Sequence, residues 1–192
     1  MSWTRDLDAG NSDDVNDMVV DPATGDAYIA ARASVGANSN WFIHKVNGNG
    51  TPGWTYTFDG TSAGLDECFA IARASDDNVV AVGMTTTAVG SFARAARINA
   101  ATGASMNVLT SPTNLSQFNA VATDSAGNAF ATGFNNDANA NGLTVKLNST
   151  LGQVWVQTFD GAAALFDNFS NVVVLPSGDC AVGGSTRTTA SN

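Results

Sequence analysis

The chain is poor in the residues that build helices, metal centres and catalytic triads. Its 192 residues include one glutamate, Glu67, one histidine, His44, and two cysteines, Cys68 and Cys180. Because charged helix-forming residues are so scarce, a helical fold is disfavoured. Two cysteines and one histidine cannot supply the four ligands of a closed zinc site. The cysteines lie among Phe, Ala and Val, so we expect two buried free thiols, with a disulfide as the alternative if the two units approach within bonding reach.

Basic residues and long apolar runs are also few. Eight Lys and Arg stand against 17 Asp and Glu, which gives a formal net charge of −9. A surface of that sign repels phosphate backbones and anionic lipid, so nucleic acid and membrane surfaces are not expected as partners. No apolar run approaches the ~20 residues that span a bilayer. The first residues lack the basic and apolar regions of a signal peptide, so we expect any such peptide to lie outside this chain.

An internal repeat is the strongest positive signal in the sequence. The run Trp-Thr-Tyr-Thr-Phe-Asp-Gly at 54–60 returns as Trp-Val-Gln-Thr-Phe-Asp-Gly at 155–161, a shift of 155 − 54 = 101 positions that holds four units of about 50 residues. One strand type recurs in every unit, each time after a Gly-Asp, Asp-Asn or Gly-Asn pair typical of a tight hairpin turn. Its copies are residues 27–32, 79–84, 129–134 and 180–185.

Four short strand types in each unit predict an all-β fold, a β-propeller of about four four-stranded blades. The predicted blades are 9–58, 59–109, 110–159 and 160–192 of one domain spanning 1–192, with residues 3–8 as an orphan outer strand. A helical solenoid would need a 3.6-residue apolar period, which is missing. A β-sandwich would not explain the fourfold register. The last unit stops after its second strand, so we expect an incomplete ring, part of a larger ring, or a homo-oligomer.

The recurring positions of these units resemble the bacterial β-propeller repeat called SBBP. The matching residues are Asp14, Asp66 and Asp167; Gly83, Gly133 and Gly184; Lys45, Arg97 and Lys146; Asn47, Asn99 and Asn148; and Trp54 and Trp155. The resemblance covers essentially the whole chain and implies a mostly non-catalytic module of a secreted or cell-surface bacterial protein. Unit one departs from the pattern with Ala31 for glycine, and unit three with Ser116 for aspartate.

Each recurring side chain has a structural and a functional interpretation. Trp54 and Trp155 are expected to pack against the neighbouring blade. The aspartates Asp14, Asp66 and Asp167 can accept backbone N–H bonds or form a carboxylate ring that holds a cation. The basic residues can pair with acidic loops of the same or the adjacent blade.

The predicted binding surface lies on the loops that enter the innermost strands. Its acidic candidates are Asp59, Asp66, Glu67, Asp160 and Asp167. Trp41 and Phe166 are the aromatic candidates, either exposed for stacking on a sugar or peptide, or packed under their own loops. Asp137, Asn139 and Asn141 resemble the start of a calcium loop, but Asn148 replaces the bidentate Glu at the twelfth position, which favours a plain polar loop. No cofactor is predicted apart from this calcium candidate.

The function predicted from the sequence is a rigid, non-catalytic scaffold that binds protein or glycan. Catalysis has little support, because His44 lies in a strand-like segment without a recurrent Ser or Cys around it. Two alternatives stay open at this point. One is a fragment of a carbohydrate-active enzyme that uses Asp59, Asp66 and Glu67. The other is a structural subunit that assembles through open blade edges.

Overall fold

The structure, a computed structural model, describes residues 4, 12–111, 116–135, 140–162 and 165–188. These residues form fourteen antiparallel strands in four sheets, which confirms the all-β prediction. No helix occurs in the described ranges, so none of them holds a helix able to cross a membrane. Of the orphan strand predicted at 3–8, the structure describes residue 4 alone, which is exposed and belongs to no strand, and the rest of that prediction lies outside the described residues.

Each sheet is a meander in which consecutive strands are neighbours. Sheet 1 contains β1 (Ser12–Val20), β2 (Ala27–Val35), β3 (Asn38–Val46) and β4 (Pro52–Phe58). Sheet 2 contains β5 (Glu67–Arg73), β6 (Val79–Thr87), β7 (Gly90–Ile98) and β8 (Ser105–Thr110). Sheet 3 contains β9 (Gln117–Thr123), β10 (Ala129–Phe134), β11 (Gly142–Leu147) and β12 (Gln153–Phe159). Sheet 4 has two strands in the described part of the chain, β13 (Asp167–Val174) and β14 (Cys180–Thr186).

The predicted hairpin turns join the first and second strands of every sheet. A residue with positive φ stands just before the end of each turn, at Gly25, Asp77, Gly127 and Gly178. Glycine adopts this conformation without steric cost, and aspartate is among the few other residues that tolerate it. Asp77, with φ of 65°, therefore replaces the glycine of the other three units without breaking the turn.

A bulge at the same place in all four first strands fixes the register of the repeat. Opposite it lie Ala31, Gly83, Gly133 and Gly184. A Cβ atom on Gly83 would overlap the Glu67 carbonyl oxygen, and the other two glycines face the equivalent oxygens of Gln117 and Asn168. In sheets 2, 3 and 4 the recurring glycine therefore lets the bulged backbone approach this closely, whereas sheet 1 carries Ala31 at the same position.

This register corrects one predicted equivalence. Cys68 pairs with Gly83 and Val15 pairs with Ala31, so the residue of sheet 1 that corresponds to Asp66 is Asp13, and Asp14 corresponds to Glu67. A shift of one residue turns a strand side chain to the opposite face. Asp14 is accordingly exposed and forms an ion pair with Arg32, so its assignment as the counterpart of Asp66 is wrong.

The sheets pack in chain order, with the first strands β1, β5, β9 and β13 successively in contact. One apolar cluster lies between sheets 1 and 2 and contains Tyr28, Trp41, Ile43, Val79, Ala96 and Ile98. A second lies between sheets 2 and 3 and contains Val80, Val82, Ala95, Phe118, Ala129 and Leu143. The sheets are not closed into a ring, and Val15 and Met18 are exposed on the face of sheet 1 that points away from sheet 2.

Candidate functional site

The row of sheets has two ends with different chemistry. We call the turn end the side with the short turns 21–26, 47–51, 74–78, 99–104, 124–128, 148–152 and 175–179. We call the loop end the side that carries the segments 59–66, 160–162 and 165–166, which precede first strands, together with the connection 88–89. The five acidic residues predicted to bind protein or glycan lie at the loop end or at the start of the strand that follows it.

At the turn end, each recurring basic residue pairs with an aspartate of its own sheet. The distances from nitrogen to carboxylate oxygen are 2.7 Å for Lys45 with Asp26, 2.6 Å for Arg97 with Asp76 and 3.9 Å for Lys146 with Asp124. Arg97 Nη1 also donates to the Gly127 carbonyl oxygen, which links sheet 2 to sheet 3. The predicted pairing of these basic residues with acidic loops is confirmed.

These pairs shift the protonation equilibria of the three aspartates. Burial alone would raise each pKa above the ordinary value of 3.8, but hydrogen bonds and the nearby cation outweigh burial, so the pKa is lowered. Asp26 receives hydrogen bonds from Lys45 and the Gly48 N–H, and Asp76 from Arg97 and Asn78. The recurring basic residues of sheets 1 to 3 are therefore neutralised by aspartates of the turn end.

At the loop end, Asp66 and Asp167 are buried and hold the loop that precedes them. Asp66 Oδ2 accepts the Gly60 N–H at 2.6 Å and Oδ1 accepts the Thr86 N–H at 3.1 Å. Asp167 Oδ2 accepts the Gly161 N–H at 2.5 Å. Hydrogen bonds from the Thr186 hydroxyl and then from the Gly161 N–H lower the pKa of Asp167. Both carboxylates therefore carry the structural role that the sequence allowed.

The repeated Asp-Gly pair follows from this geometry. A Cβ on Gly60 would lie 2.8 Å from Asp66 Oδ1, and one on Gly161 would lie 2.9 Å from Asp167 Oδ1. Only glycine lets the loop backbone approach the carboxylate so closely. The aspartates that precede these glycines point elsewhere. Asp59 accepts a hydrogen bond from Asn38 Nδ2 at 3.0 Å, and Asp160 is exposed.

Glu67 belongs to a small polar cluster between the first strands of sheets 1 and 2. Asn16 Nδ2 donates to its Oε1 at 3.2 Å, and Arg32 Nη1 lies 3.7 Å from its Oε2. Asp14 shares the same arginine. The structure thus separates Glu67 from the inward-facing Asp66, although the two are adjacent in sequence.

The two predicted aromatic binding residues both pack. Trp41 is fully buried, and its Nε1 donates to the Met84 carbonyl oxygen at 2.7 Å, so the exposed interpretation is wrong for this residue. Phe166 is half-buried, with its ring centroid 5.1 Å from that of Phe134 and 5.7 Å from the Arg187 guanidinium carbon. Exposed apolar side chains at the loop end are instead Leu65, 48% exposed, and Val89, 73% exposed. Leu65 occupies the position of Phe166 in the repeated Asp-Gly loop, whereas Val89 stands in a connection without a recurring motif.

The calcium candidate falls mostly outside the described residues. Asp137 and Asn139 lie there, while the main-chain oxygen of Asn141 accepts the Asn135 N–H at 2.9 Å. Among the residues that the structure describes, no group of three or more His, Cys, Asp or Glu side chains could hold a metal ion. The calcium loop therefore stays a prediction.

A groove between sheets 3 and 4 is a further candidate site, which the sequence did not reveal. Its volume is about 380 Å³, and its lining includes Phe130, Lys146, Trp155, Phe159, Cys180 and Val182. We call it the sheet 3/4 groove. The signal that could have revealed it is the end of unit four after its second strand, which leaves the face of sheet 3 partly uncovered.

Loop-end residues and the sheet 3/4 groove are thus the two candidate sites, and the recurring carboxylates Asp66 and Asp167 support the fold beside them. Cys68 is buried, and burial raises the pKa of its thiol, so the expectation of a buried free cysteine is confirmed there. Cys180 is free but only half-buried, because it faces the groove.

No model of a protein family matches the chain, and no curated protein matches it significantly.

Proposed function

We propose that the chain is a β-propeller module that acts as a rigid, non-catalytic scaffold for binding protein or glycan. The observation that carries the architecture is the succession of equivalent sheets whose first strands β1, β5, β9 and β13 are neighbours. Sheets that meet along their first strands and diverge toward their last strands are arranged as blades about an axis. An experimental structure without a common axis beside these four strands would contradict this architecture.

The hydrogen bonds and ion pairs of the recurring polar residues support the scaffold role. Asp66 and Asp167 hold loops through backbone N–H groups, and the three basic residues of the repeat are engaged at the turn end. A carboxylate that accepts two backbone hydrogen bonds, as Asp66 does, is held in place by the backbone that it binds. The recurring charged residues therefore hold loops and turns in place.

The proposed binding surface is the loop end. It exposes Asp59 and Asp160 in corresponding positions of the repeat, and it also exposes the apolar side chains Leu65 and Val89 of the segments before β5 and between β6 and β7. Loops on a rigid framework commonly carry recognition, since they vary without disturbing the core. The resemblance to SBBP repeats supports placement in a secreted or surface protein of a bacterium.

A glycan array probed with the labelled chain tests this function. We expect retention of a defined set of glycans that Asp59→Asn together with Asp160→Asn weakens by about tenfold. Asp77→Asn is the matched control, because Asp77 is an exposed aspartate of the turn end and asparagine tolerates its positive φ. An equal loss with the control would contradict binding at the loop end. Absence of glycan binding would leave a protein as the ligand class, to be tested with the same variants in a binding screen against surface proteins.

The enzyme alternative is separated by measuring turnover on the same array. Hydrolysis of a bound glycan, lost in Glu67→Gln while the far-ultraviolet circular dichroism is unchanged, would overturn the non-catalytic assignment. Loss of folding in Asp66→Asn and Asp167→Asn, without turnover in the parent chain, is the result expected of a scaffold. In these variants an amide replaces one oxygen that accepts a backbone N–H.

A further inference from the structure

The sheet 3/4 groove is the open counterpart of the filled interface between sheets 1 and 2. Two clamps show the equivalence. Asn16 Nδ2 donates to the Cys68 carbonyl oxygen in one interface, and Asn119 Nδ2 donates to the Phe169 carbonyl oxygen in the other, both at 2.8 Å. The aromatic residues also correspond, as Tyr28 with Phe130, Trp54 with Trp155 and Phe58 with Phe159.

In the filled interface, the third strand of sheet 2 covers those aromatic residues. β7 places the fully buried side chains of Ala96 and Ile98 against sheet 1, and the turn that follows places the Ala100 carbonyl oxygen 2.8 Å from Trp54 Nε1. Earlier on β7, the Arg94 guanidinium carbon lies 3.5 Å from the centroid of the Phe58 ring. A cation, two apolar side chains and a carbonyl group thus complete the interface.

In the sheet 3/4 groove, the corresponding cover is missing from the described residues. β14 pairs with β13 along one edge, and its other edge has no strand partner in the described part of the chain. Trp155 Nε1 has no hydrogen-bond acceptor among the described residues, Phe159 is 48% exposed and Val182 is 37% exposed. An unpaired strand edge beside an apolar face is a site for strand addition.

We propose that the sheet 3/4 groove binds an extended polypeptide segment that adds antiparallel to β14 as the third strand of sheet 4. The segment presents a Lys or Arg over Phe159, then small and branched apolar side chains over Trp155 and Phe130, and then a main-chain carbonyl group to Trp155 Nε1. The proposal rests on the internal repeat and not on the proposed binding at the loop end.

Charge supports the same occupant. Asp179 stands immediately before β14, as Asp26 stands before β2, and Asp26 pairs with Lys45 on the third strand of its sheet. Asp179 is exposed, and among the described residues its carboxylate accepts a side-chain hydrogen bond from the Ser177 hydroxyl. A segment with a basic residue facing away from sheet 3 would therefore gain an ion pair there, and the net charge of −9 also attracts a basic segment.

A second copy pairing β14 with β14 does not fit the groove. Two antiparallel strand edges are related by a two-fold axis perpendicular to the sheet. Such an axis would put sheet 3 of both copies on the same face of the joined sheet, each in the space that the other needs. A heterologous segment has no such conflict.

The test is a titration of the full chain into a fluorescent peptide with the sequence of residues 91–103, which contains the β7 side chains that cover the filled interface. We expect saturable binding by fluorescence anisotropy, weakened at least about tenfold by Val182→Lys in the chain. Val173→Lys is the matched control, since Val173 lies in the same sheet, is exposed, and faces away from the groove. A peptide with Asp in place of Ala96 and Ile98 should not bind.

Two further measurements decide the remaining outcomes. Binding should shift tryptophan emission to shorter wavelength, and Trp155→Phe should remove that shift. Joining the same 13 residues to the C-terminus through a Gly-Ser linker should raise Tm, and Val182→Lys should abolish the rise. No binding and no rise in Tm with a folded chain would overturn the proposal. A concentration-dependent dimer that Val182→Lys dissociates would also overturn it, in favour of a second copy as occupant.

Discussion

The interface between sheets 1 and 2 and the sheet 3/4 groove contain equivalent aromatic residues. Among the described residues, a third strand covers these aromatic residues only in the interface between sheets 1 and 2. Trp54 is enclosed so tightly that a Cβ on Gly103, in the turn after β7, would lie 2.7 Å from its ring. Trp155 contacts Phe130, with ring centroids 6.0 Å apart, but no such turn covers it in the described residues. Each sheet therefore supplies half of an interface, and the third strand of the next sheet supplies the rest.

The interfaces also differ in which of the two facing sheets supplies a large side chain at one pair of positions. We call this difference the size exchange. Across sheets 1 and 2, the large Trp41 faces the small Cys68. At the equivalent positions of sheets 3 and 4, Gly142 faces the large Phe169. A Cβ on Gly142 would lie 2.8 Å from the Phe169 ring. Between sheets 2 and 3, the corresponding residues are Ala93 and Phe118. Each interface holds one large side chain at this place, supplied by either sheet.

Removing the large side chain of the filled interface should have the greatest effect. Trp41→Ala deletes a fully buried indole and its hydrogen bond to Met84, and we expect a loss of about 3–5 kcal/mol in the free energy of unfolding. Urea denaturation followed by circular dichroism measures it. Val154→Ala, at an exposed position of β12, should change stability by less than about 0.5 kcal/mol. A similar loss in both variants would contradict the central position of Trp41.

The size exchange is tested at the open interface. Gly142→Ala forces the Phe169 ring to move, and we expect a loss of about 1–3 kcal/mol. Phe169→Leu in the same chain should recover part of that loss, with a coupling free energy above about 0.5 kcal/mol in a double-mutant cycle. Gly183→Ala is the matched control, because a Cβ there meets no atom within 4 Å. Additive effects at Gly142 and Phe169 would disprove the exchange.

The two equivalent tryptophans measure what the covering strand contributes. Trp54→Phe removes the hydrogen bond to the Ala100 carbonyl oxygen, so we expect a loss of about 1 kcal/mol or more in the free energy of unfolding. Trp155→Phe should cost a few tenths of a kcal/mol, because its Nε1 has no acceptor among the described residues. Urea denaturation of both variants gives the comparison. Equal losses would show that the groove is already covered in the free chain.

The strand types, the hairpin turns and the recurring glycines could be predicted, because local chemistry decides them. Glycine at 83, 133 and 184 reflects the backbone of a single hairpin, and the turn pairs reflect positive φ at one residue. The pairing of Lys45, Arg97 and Lys146 with aspartate was also predictable from composition. Its geometry was not, since the aspartate comes from a different turn position in each sheet.

Other errors came from interactions that cross between sheets. The adjacent aspartates Asp13 and Asp14 offer two registers, and only the pairing of Val15 with Ala31 selects one. The sequence allowed Trp41 to be exposed, because nothing in its own strand shows that the small Cys68 on the next sheet leaves room for the indole. The groove depends on the absence of a covering strand in the described part of sheet 4, which no residue of sheet 3 reveals.

The smallest expected difference concerns the ion pairs beside the two interfaces. Lys45 lies 2.7 Å from Asp26, whereas Lys146 lies 3.9 Å from Asp124. Lys45→Met should cost up to about 1 kcal/mol of the free energy of unfolding at pH 7, and Lys146→Met a few tenths of a kcal/mol.

The pH dependence of stability separates the ion pair from packing. Because the pKa of Asp26 is lowered in the folded chain, the unfolded chain takes up a proton at this carboxylate first as the pH falls. The stability from the ion pair is therefore present above pH 3.8 and is lost as the pH falls below that value. The urea midpoints of both variants should therefore approach that of the parent as the pH is lowered from 7 through the acid range. A loss from Lys45→Met that stays unchanged as the pH is lowered would instead identify the packing of its alkyl chain on Tyr28, whose ring centroid is 5.7 Å from Nζ, as the source of stability.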